Sequence, residues 1–194
     1  MKRGCQVSFV TYHSYPYIGE SAKKKVADLV RVLARYQGTG RLAVVPFVEV
    51  QTAIRDGAPE AYRTVLYRRM MQRIASELSQ RHGYKALVTG DSLGQVASQT
   101  LENLACIVEA SSLPVLQPLI GFDKEEIIER ARRIGTFDTS LVPEPDCCTV
   151  FQPRSPMIRG RIEDCLAAER ELDVTGLVQR AVDGVESLTV DAEG

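Results

Sequence analysis

Short β-rich runs alternate with amphipathic helical stretches along most of the chain, and that alternation restricts the possible folds more than any other feature. Gln6 to Tyr12 (QVSFVTY) reads as a strand. Ser21 to Tyr36 then places Val26, Leu29, Val30, Leu33 and Ala34 at i, i+3, i+4, i+7 and i+8, which is one face of a helix. A second apolar run, Leu42 to Val48, is followed by a long helical stretch from about Pro59 to Arg81, with Tyr62, Leu66, Met70, Ile74 and Leu78 four apart, stopped by His82-Gly83. Lys85 to Thr89 is a third strand, Ser92 to Glu109 a helix and Val115 to Ile120 a fourth strand. Asp123-x-x-Glu126 opens a further helix as a capping box, with Ile127, Ile128, Ala131 and Ile134 on one face and Gly135 at its end. A last helical region, 161–186, breaks near Asp173 to Gly176.

Strand–helix alternation of this kind implies right-handed crossovers and an α/β fold: a mostly parallel, Rossmann-like sheet with helices on both faces. Ligands of such sheets sit at the carboxyl ends of the strands. One domain suffices for residues 1–194. Within it Pro143, Pro145, Pro153 and Pro156 punctuate a segment, 143–156, too irregular for an ordinary connector, and it reads as a functional loop.

Charge excludes a global pull on nucleic acid, because 24 Lys+Arg face 25 Asp+Glu and the net charge is −1. With 44% hydrophobic and 25% charged residues, disorder and disulfide-dense miniproteins are excluded too. No apolar run reaches the roughly 18 to 20 residues that span a bilayer, so the expectation is a cytoplasmic protein without a membrane partner. Five cysteines without a Cys-x-x-Cys pair read as thiols rather than a disulfide framework or a zinc site, and no metal site is expected.

Three places can carry chemistry. After the third strand, Gly90 lets a ligand approach the backbone. Ser92 with Gln95 has capping-box spacing, and Gln95 and Gln99 would share one helix face. The plain alternative there is a well-capped helix. At the end of the first strand, Thr11-Tyr12-His13-Ser14-Tyr15-Pro16-Tyr17 could wall a base pocket, or form a surface loop of packed tyrosines. In the proline-rich loop, Asp146-Cys147-Cys148-Thr149 offers a reachable thiol for persulfide exchange, where the alternative is an incidental pair of small residues. Cys106 and Cys165 fall among apolar helix positions and read as core. An arginine among Arg68, Arg69 and Arg73 could hold a phosphate through its planar fork of donors, while such charges, with Lys23-Lys24-Lys25, otherwise simply solvate a helix face.

Several motifs, taken together, resemble the ATP-pyrophosphatase domain of the tRNA 4-thiouridine synthetases, also called thiamine biosynthesis sulfurtransferases, an adenine nucleotide alpha hydrolase-like fold. They are Tyr12-His13-Ser14 with Tyr15-Pro16-Tyr17, Tyr67-Arg68-Arg69-Met70-Met71, Thr89-Gly90-Asp91-Ser92-Leu93-Gly94-Gln95 through Gln99-Thr100, Pro118-Leu119-Ile120-Gly121, Asp123-Lys124-Glu125-Glu126, Ile134-Gly135-Thr136 and Asp146-Cys147-Cys148, in the family's order from about residue 4 to 170. The resemblance implies ATP-dependent adenylation of a tRNA uridine, then persulfide transfer to give 4-thiouridine, with sulfur carriage for the thiamine thiazole in some bacteria. It implies ATP, with Mg2+ accompanying the nucleotide. It implies tRNA as substrate through domains not in this chain, and a cysteine desulfurase as sulfur donor. By position it assigns Thr11, Tyr12, Arg68, Gly90 and Gln99 to the ATP site, and Cys148, with Cys147 second, as the catalytic cysteine. The family often has His-Phe where this chain has Thr11-Tyr12.

One departure is large. The family's Ser-Gly-Gly-x-Asp-Ser phosphate loop, between the first strand of the domain and its first helix, has no counterpart here. The fold is therefore expected to lack its first strand, the domain being truncated at the N-terminus: a fragment, an internal methionine start, or one part of a split or homo-oligomeric protein that regains the missing elements from a separate chain. The alternative function is a noncatalytic nucleotide-binding remnant or a subunit of a split enzyme.

Overall fold

The computed structural model describes residues 1, 3–145 and 147–192, with Cys148 described by its backbone alone. Along the chain run β1 (Phe9–His13), α1 (Glu20–Ala34), β2 (Thr39–Pro46), α2 (Val48–Gly57), α3 (Arg63–His82), β3 (Leu87–Val88), α4 (Leu101–Glu109), β4 (Val115–Leu116), α5 (Lys124–Ile134), α6 (Phe137–Leu141), α7 (Ile162–Glu169), α8 (Val174–Asp183) and β5 (Glu186–Asp191). Single 3-10 turns lie at Glu60–Tyr62, Ala97–Gln99 and Cys147–Thr149. The fold is α/β, as the alternation requires. Two compact units divide it: Met1–Phe47 with Glu125–Cys147 and Gly184–Gly194, and Val48–Lys124 with Cys148–Asp183.

The first unit holds a three-stranded mixed sheet in the order β1-β2-β5. β1 runs parallel to β2, from Phe9 opposite Leu42 to His13 opposite Pro46, and β5 runs antiparallel to β2, with Leu188 opposite Leu42. Alternate residues of β2 turn inward, so Leu42 and Val44 join Val30 of α1 and Val190 of β5 in a core flanked by Phe9, Val26, Ala27 and Leu188. Helix and strand meet closely at Gly40, where a β-carbon would lie 2.4 Å from Val30 Cγ1. β5 is an element that the sequence reading missed. Its stretch ESLTVD buries only one residue and carries acids at both ends, the pattern of a charged edge strand rather than an apolar run. α5 ends as expected: Gly135 takes φ +79°, and Thr136 N–H donates to Ala131 O at 2.9 Å, closing a Schellman turn.

In the second unit β3 and β4 pair in parallel, Leu87 opposite Val115 and Val88 opposite Leu116. α3 buries Leu66, Met70 and Ile74 on the expected four-residue spacing, and ends at Gly83 with φ +74°. α2 was unforeseen. Its buried stripe, Val50, Gln51 and Ile54, is short, and no turn residue separates it from the strand before.

The expected helix over Ser92 to Glu109 is corrected by the structure. α4 begins only at Leu101, capped by Thr100, whose Oγ1 accepts from Asn103 N–H at 3.3 Å. Upstream, Ser92 Oγ is committed to Phe122 O at 2.6 Å. Gly94, at φ +78°, bends the chain so that its N–H reaches Gln99 O at 2.9 Å. Ser92 and Gln95 therefore form no capping box, and Gln95 and Gln99 share no helix face. The expected break in the last helical region falls between α7 and α8, where Asp173 Oδ1 accepts from Gly176 N–H at 3.0 Å. Among the described residues no helix is long and apolar enough to cross a membrane.

Candidate functional site

The carboxyl end of β3 carries a cluster of polar side chains, and its centre is Asp91. This carboxylate is 3% exposed. It accepts from Arg68 of α3, from Thr89 Oγ1 at 2.7 Å, from Gln117 Nε2 just past β4 at 3.2 Å, and from Gln99 Nε2 at 3.3 Å. Burial by itself would push the Asp91 carboxyl up. The Arg68 charge and the hydrogen bonds from Thr89, Arg68 and Gln117 outweigh it and hold the group below the usual aspartate range, so it is ionised at neutral pH. Arg68 also donates from Nη1 to Ser98 O at 3.3 Å, which ties the 97–99 turn to α3.

Two of the expected nucleotide residues, Arg68 and Gln99, thus meet on one carboxylate. Because Asp91 can only accept, the Gln99 amide is oriented with Nε2 toward it. Gln99 Oε1 is buried and has no partner among the described residues, so it is an acceptor without a donor. Gly90 lies beside this cluster, and a β-carbon added there would meet nothing within 4 Å. The backbone is approachable at that point.

Thr11 and Tyr12 belong to the first unit. Both are half-buried on β1, the strand at the end of its sheet, and the Tyr12 ring packs edge-on against Phe47 at 5.1 Å. His13 Nε2 stands 3.6 Å from Glu20 Oε1. The lysines of α1 are engaged within the unit: Lys23 with Glu186, and Lys25 with Val142 O at 2.6 Å.

Arg69 and Arg73 neither hold a phosphate site nor simply solvate a surface. Arg69 is fully buried and grips Glu169 of α7 with Nε at 2.7 Å and Nη2 at 3.0 Å, while Arg73 grips the same carboxylate at 2.7 and 2.8 Å. Beside them lie Cys106 and Cys165, both buried. Burial pushes the Cys165 thiol up to about 12 and raises that of Cys106 as well, which leaves neither available as a thiolate. Cys147 is half-buried in the 147–149 turn; Asp146 and the Cys148 side chain lie outside the described residues. Among the described residues no three His, Cys, Asp or Glu side chains gather where they could hold a metal ion.

Sequence reasoning missed Asp91, Gln117 and Asn103. The signal for the first two was present: each directly follows or closely trails a strand of a parallel pair, where ligand-facing polar groups are expected.

The thiamine biosynthesis protein (ThiI) family matches residues 1–174. A probable tRNA sulfurtransferase of Moorella thermoacetica is 47% identical over 193 residues, covering 100% of this chain and 50% of that protein. One from Thermus thermophilus is 49% identical over 189 residues, covering 97% and 47%. A crystal structure of a 4-thiouridine synthetase–RNA complex with bound ATP superposes with a TM-score of 0.93 at 36% identity, covering 98% of this chain and 50% of that one. The chain spans about half the length of the curated relatives it matches. With the fold, the motif order and these matches in agreement, the chain belongs to the thiamine biosynthesis protein (ThiI) family.

Proposed function

We propose that this chain supplies the adenylating half of a tRNA 4-thiouridine synthetase. The observation that carries the reading is the Asp91 cluster, which holds Arg68 and Gln99 together at a strand's carboxyl end and leaves Gln99 Oε1 without a donor. The exocyclic amine of adenine supplies the N–H that this oxygen lacks, and Arg68 is a cation for the nucleotide's phosphates. Thr11, Tyr12 and Gly90 complete the ATP-binding set.

In the proposed reaction a uridine O4 attacks the α-phosphorus of ATP, and pyrophosphate leaves. The terminal sulfur of a persulfide, delivered by a cysteine desulfurase, then attacks C4 and displaces AMP. Cys148, seconded by Cys147, attacks the donor sulfur still bonded to the new C4–S group, releases 4-thiouridine and leaves a disulfide with the donor. Mg2+ enters on the nucleotide's phosphates. The same sulfur route serves the thiamine thiazole, in the cytoplasm. Both units belong to one ATP-pyrophosphatase-like domain, with the cysteine loop at 143–156 and the C-terminal region at 161–186.

A second reading, that of a split or oligomeric enzyme, is favoured by the strand edges. Among the described residues β1 is paired on one side only, and in the other unit Val88 and Leu116 of the β3–β4 pair are 59% and 54% exposed. A segment from outside these 194 residues, carrying the amides that hold the leaving pyrophosphate, would pair with such an edge.

Replacing Gln99 by Ala is expected to weaken ATP binding by about 1–2 kcal/mol in a calorimetric titration. Unchanged affinity would remove Gln99 from the pocket. Cys148→Ala is expected to leave tRNA-dependent pyrophosphate release intact and to abolish multiple-turnover thiolation. Pyrophosphate release driven by a small metabolite and indifferent to tRNA would refute the RNA assignment.

A further inference from the structure

Asn103, in the first turn of α4, is fully buried, and its amide is bonded through both Nδ2 and Oδ1. Nδ2 donates to Ala97 O at 2.8 Å and to Met157 O at 2.7 Å, and Oδ1 accepts from Gly160 N–H at 2.9 Å. These partners lie on two different stretches of the second unit. Ala97 opens the 3-10 turn that presents Ser98 and Gln99. Met157 and Gly160 close the irregular segment that starts at Cys148. Further contacts fasten that segment: Thr100 Oγ1 to Ile158 O at 2.7 Å, Met157 N–H to Ala61 O at 2.9 Å, Arg154 N–H to Glu60 Oε1 at 3.0 Å, and the Arg55 guanidinium 4.6 Å over the Phe151 ring. Of the side chains in these contacts, Asn103 is the one that bonds to both stretches.

We propose that Asn103 is a positioning residue that sets the segment following Cys148 in register with the Gln99 turn, so that the backbone carrying that cysteine is tied to the nucleotide-binding turn. Its meaning for sulfur transfer rests on the reading of Gln99 and Cys148 above. The clamp itself does not. Gly160 is its counterpart: a β-carbon there would stand 2.7 Å from Asn103 Oδ1 and 3.5 Å from Cys106 Sγ. Asn103 cannot swing aside without giving up its bonds to Ala97 and Met157, so the missing side chain at 160 is what lets that N–H dock.

The chain carries its own controls for a test. Cys5 is exposed and reports the reagent, while Cys165 is buried and reports the integrity of the second unit's core. Wild type, Asn103→Leu and Gly160→Ala are treated with iodoacetamide, and the rate at each cysteine is read by peptide mapping. Both variants are expected to speed alkylation at Cys147 and Cys148 by about threefold or more, with Cys5 unchanged and Cys165 still protected, because local opening is decoupled from global unfolding. Loop thiol rates equal to wild type in both variants overturn the proposal. So does a rise at Cys165 in step with the loop in both, which makes Asn103 a packing residue only. No nucleotide enters this measurement, so a protein that fails to bind ATP counts against the functional reading and is seen separately.

Discussion

Replacing Glu169 by Gln is expected to lower the unfolding free energy by about 3–5 kcal/mol, the cost typical of removing one partner from a buried ion pair. The carboxylate is 7% exposed and accepts two bonds from each of Arg69 and Arg73. With a neutral amide in its place, one NH2 group points at guanidinium donors. Arg69 keeps the Cys106 carbonyl and Glu109 but loses the Glu169 charge that both guanidinium groups share. A urea titration reads the loss as a lower midpoint at unchanged slope. The pH dependence follows from the same contacts. Burial pushes the Glu169 carboxyl up, but the bonds and charges of Arg69 and Arg73 prevail and hold it below the ordinary value of 4.5. Its stabilisation is therefore fully present above about pH 4.5 and fades as pH falls through the lower folded value. The Glu169→Gln variant, already lacking that contribution, is expected to lose less between neutral and acid pH than wild type. Equal midpoints at pH 7 would show that the triad contributes nothing in solution.

Asp91→Asn is expected to weaken ATP binding by about 2–3 kcal/mol, roughly 30- to 150-fold in Kd, more than the loss of Gln99 alone. The substitution keeps the shape of the side chain but releases two ligand groups together: Arg68 loses its counter-charge, and Gln99 loses the acceptor that orients its amide. Folding should suffer less, because Arg68 retains 16% side-chain exposure and can turn to water. A double substitution with Gln99→Ala supplies the sharper reading. If Asp91 acts through Gln99, the two losses overlap and the pair costs less than their sum. Full additivity, or an Asp91→Asn variant that binds ATP as wild type does, would place Asp91 outside the nucleotide site.

Elements with long periodic patterns were legible in the sequence. Val26 and Val30 of α1, and Leu66, Met70 and Ile74 of α3, mark their buried faces by spacing alone. Short elements were not. β5 has a single buried residue, and α2 has barely three turns, too few repeats for a period to stand out. The stretch after β3 misled for a different reason. Ser92 and Gln95 satisfy a local helix-start rule, but the Ser92 hydroxyl is taken by Phe122 O, thirty residues away, and Gly94 turns the chain before a helix can form. The candidate site shows the same division. Arg68, Gly90 and Gln99 were named from motif resemblance. Asp91 had a positional signal, a polar residue just past a strand, but its grip on Arg68 was not readable; Asn103, whose partners include Met157 and Gly160, became visible only in three dimensions.

The placement of β5 beside β2 has a consequence for synthesis. During synthesis β1 and β2 emerge before the second unit, yet the strand that pairs with β2 on its other side, Leu188 against Leu42, is translated only after the entire second unit. Closing so large a loop is entropically slow. The sheet of the first unit is thus completed only after the second unit has been made, and until then β2 waits with one edge open.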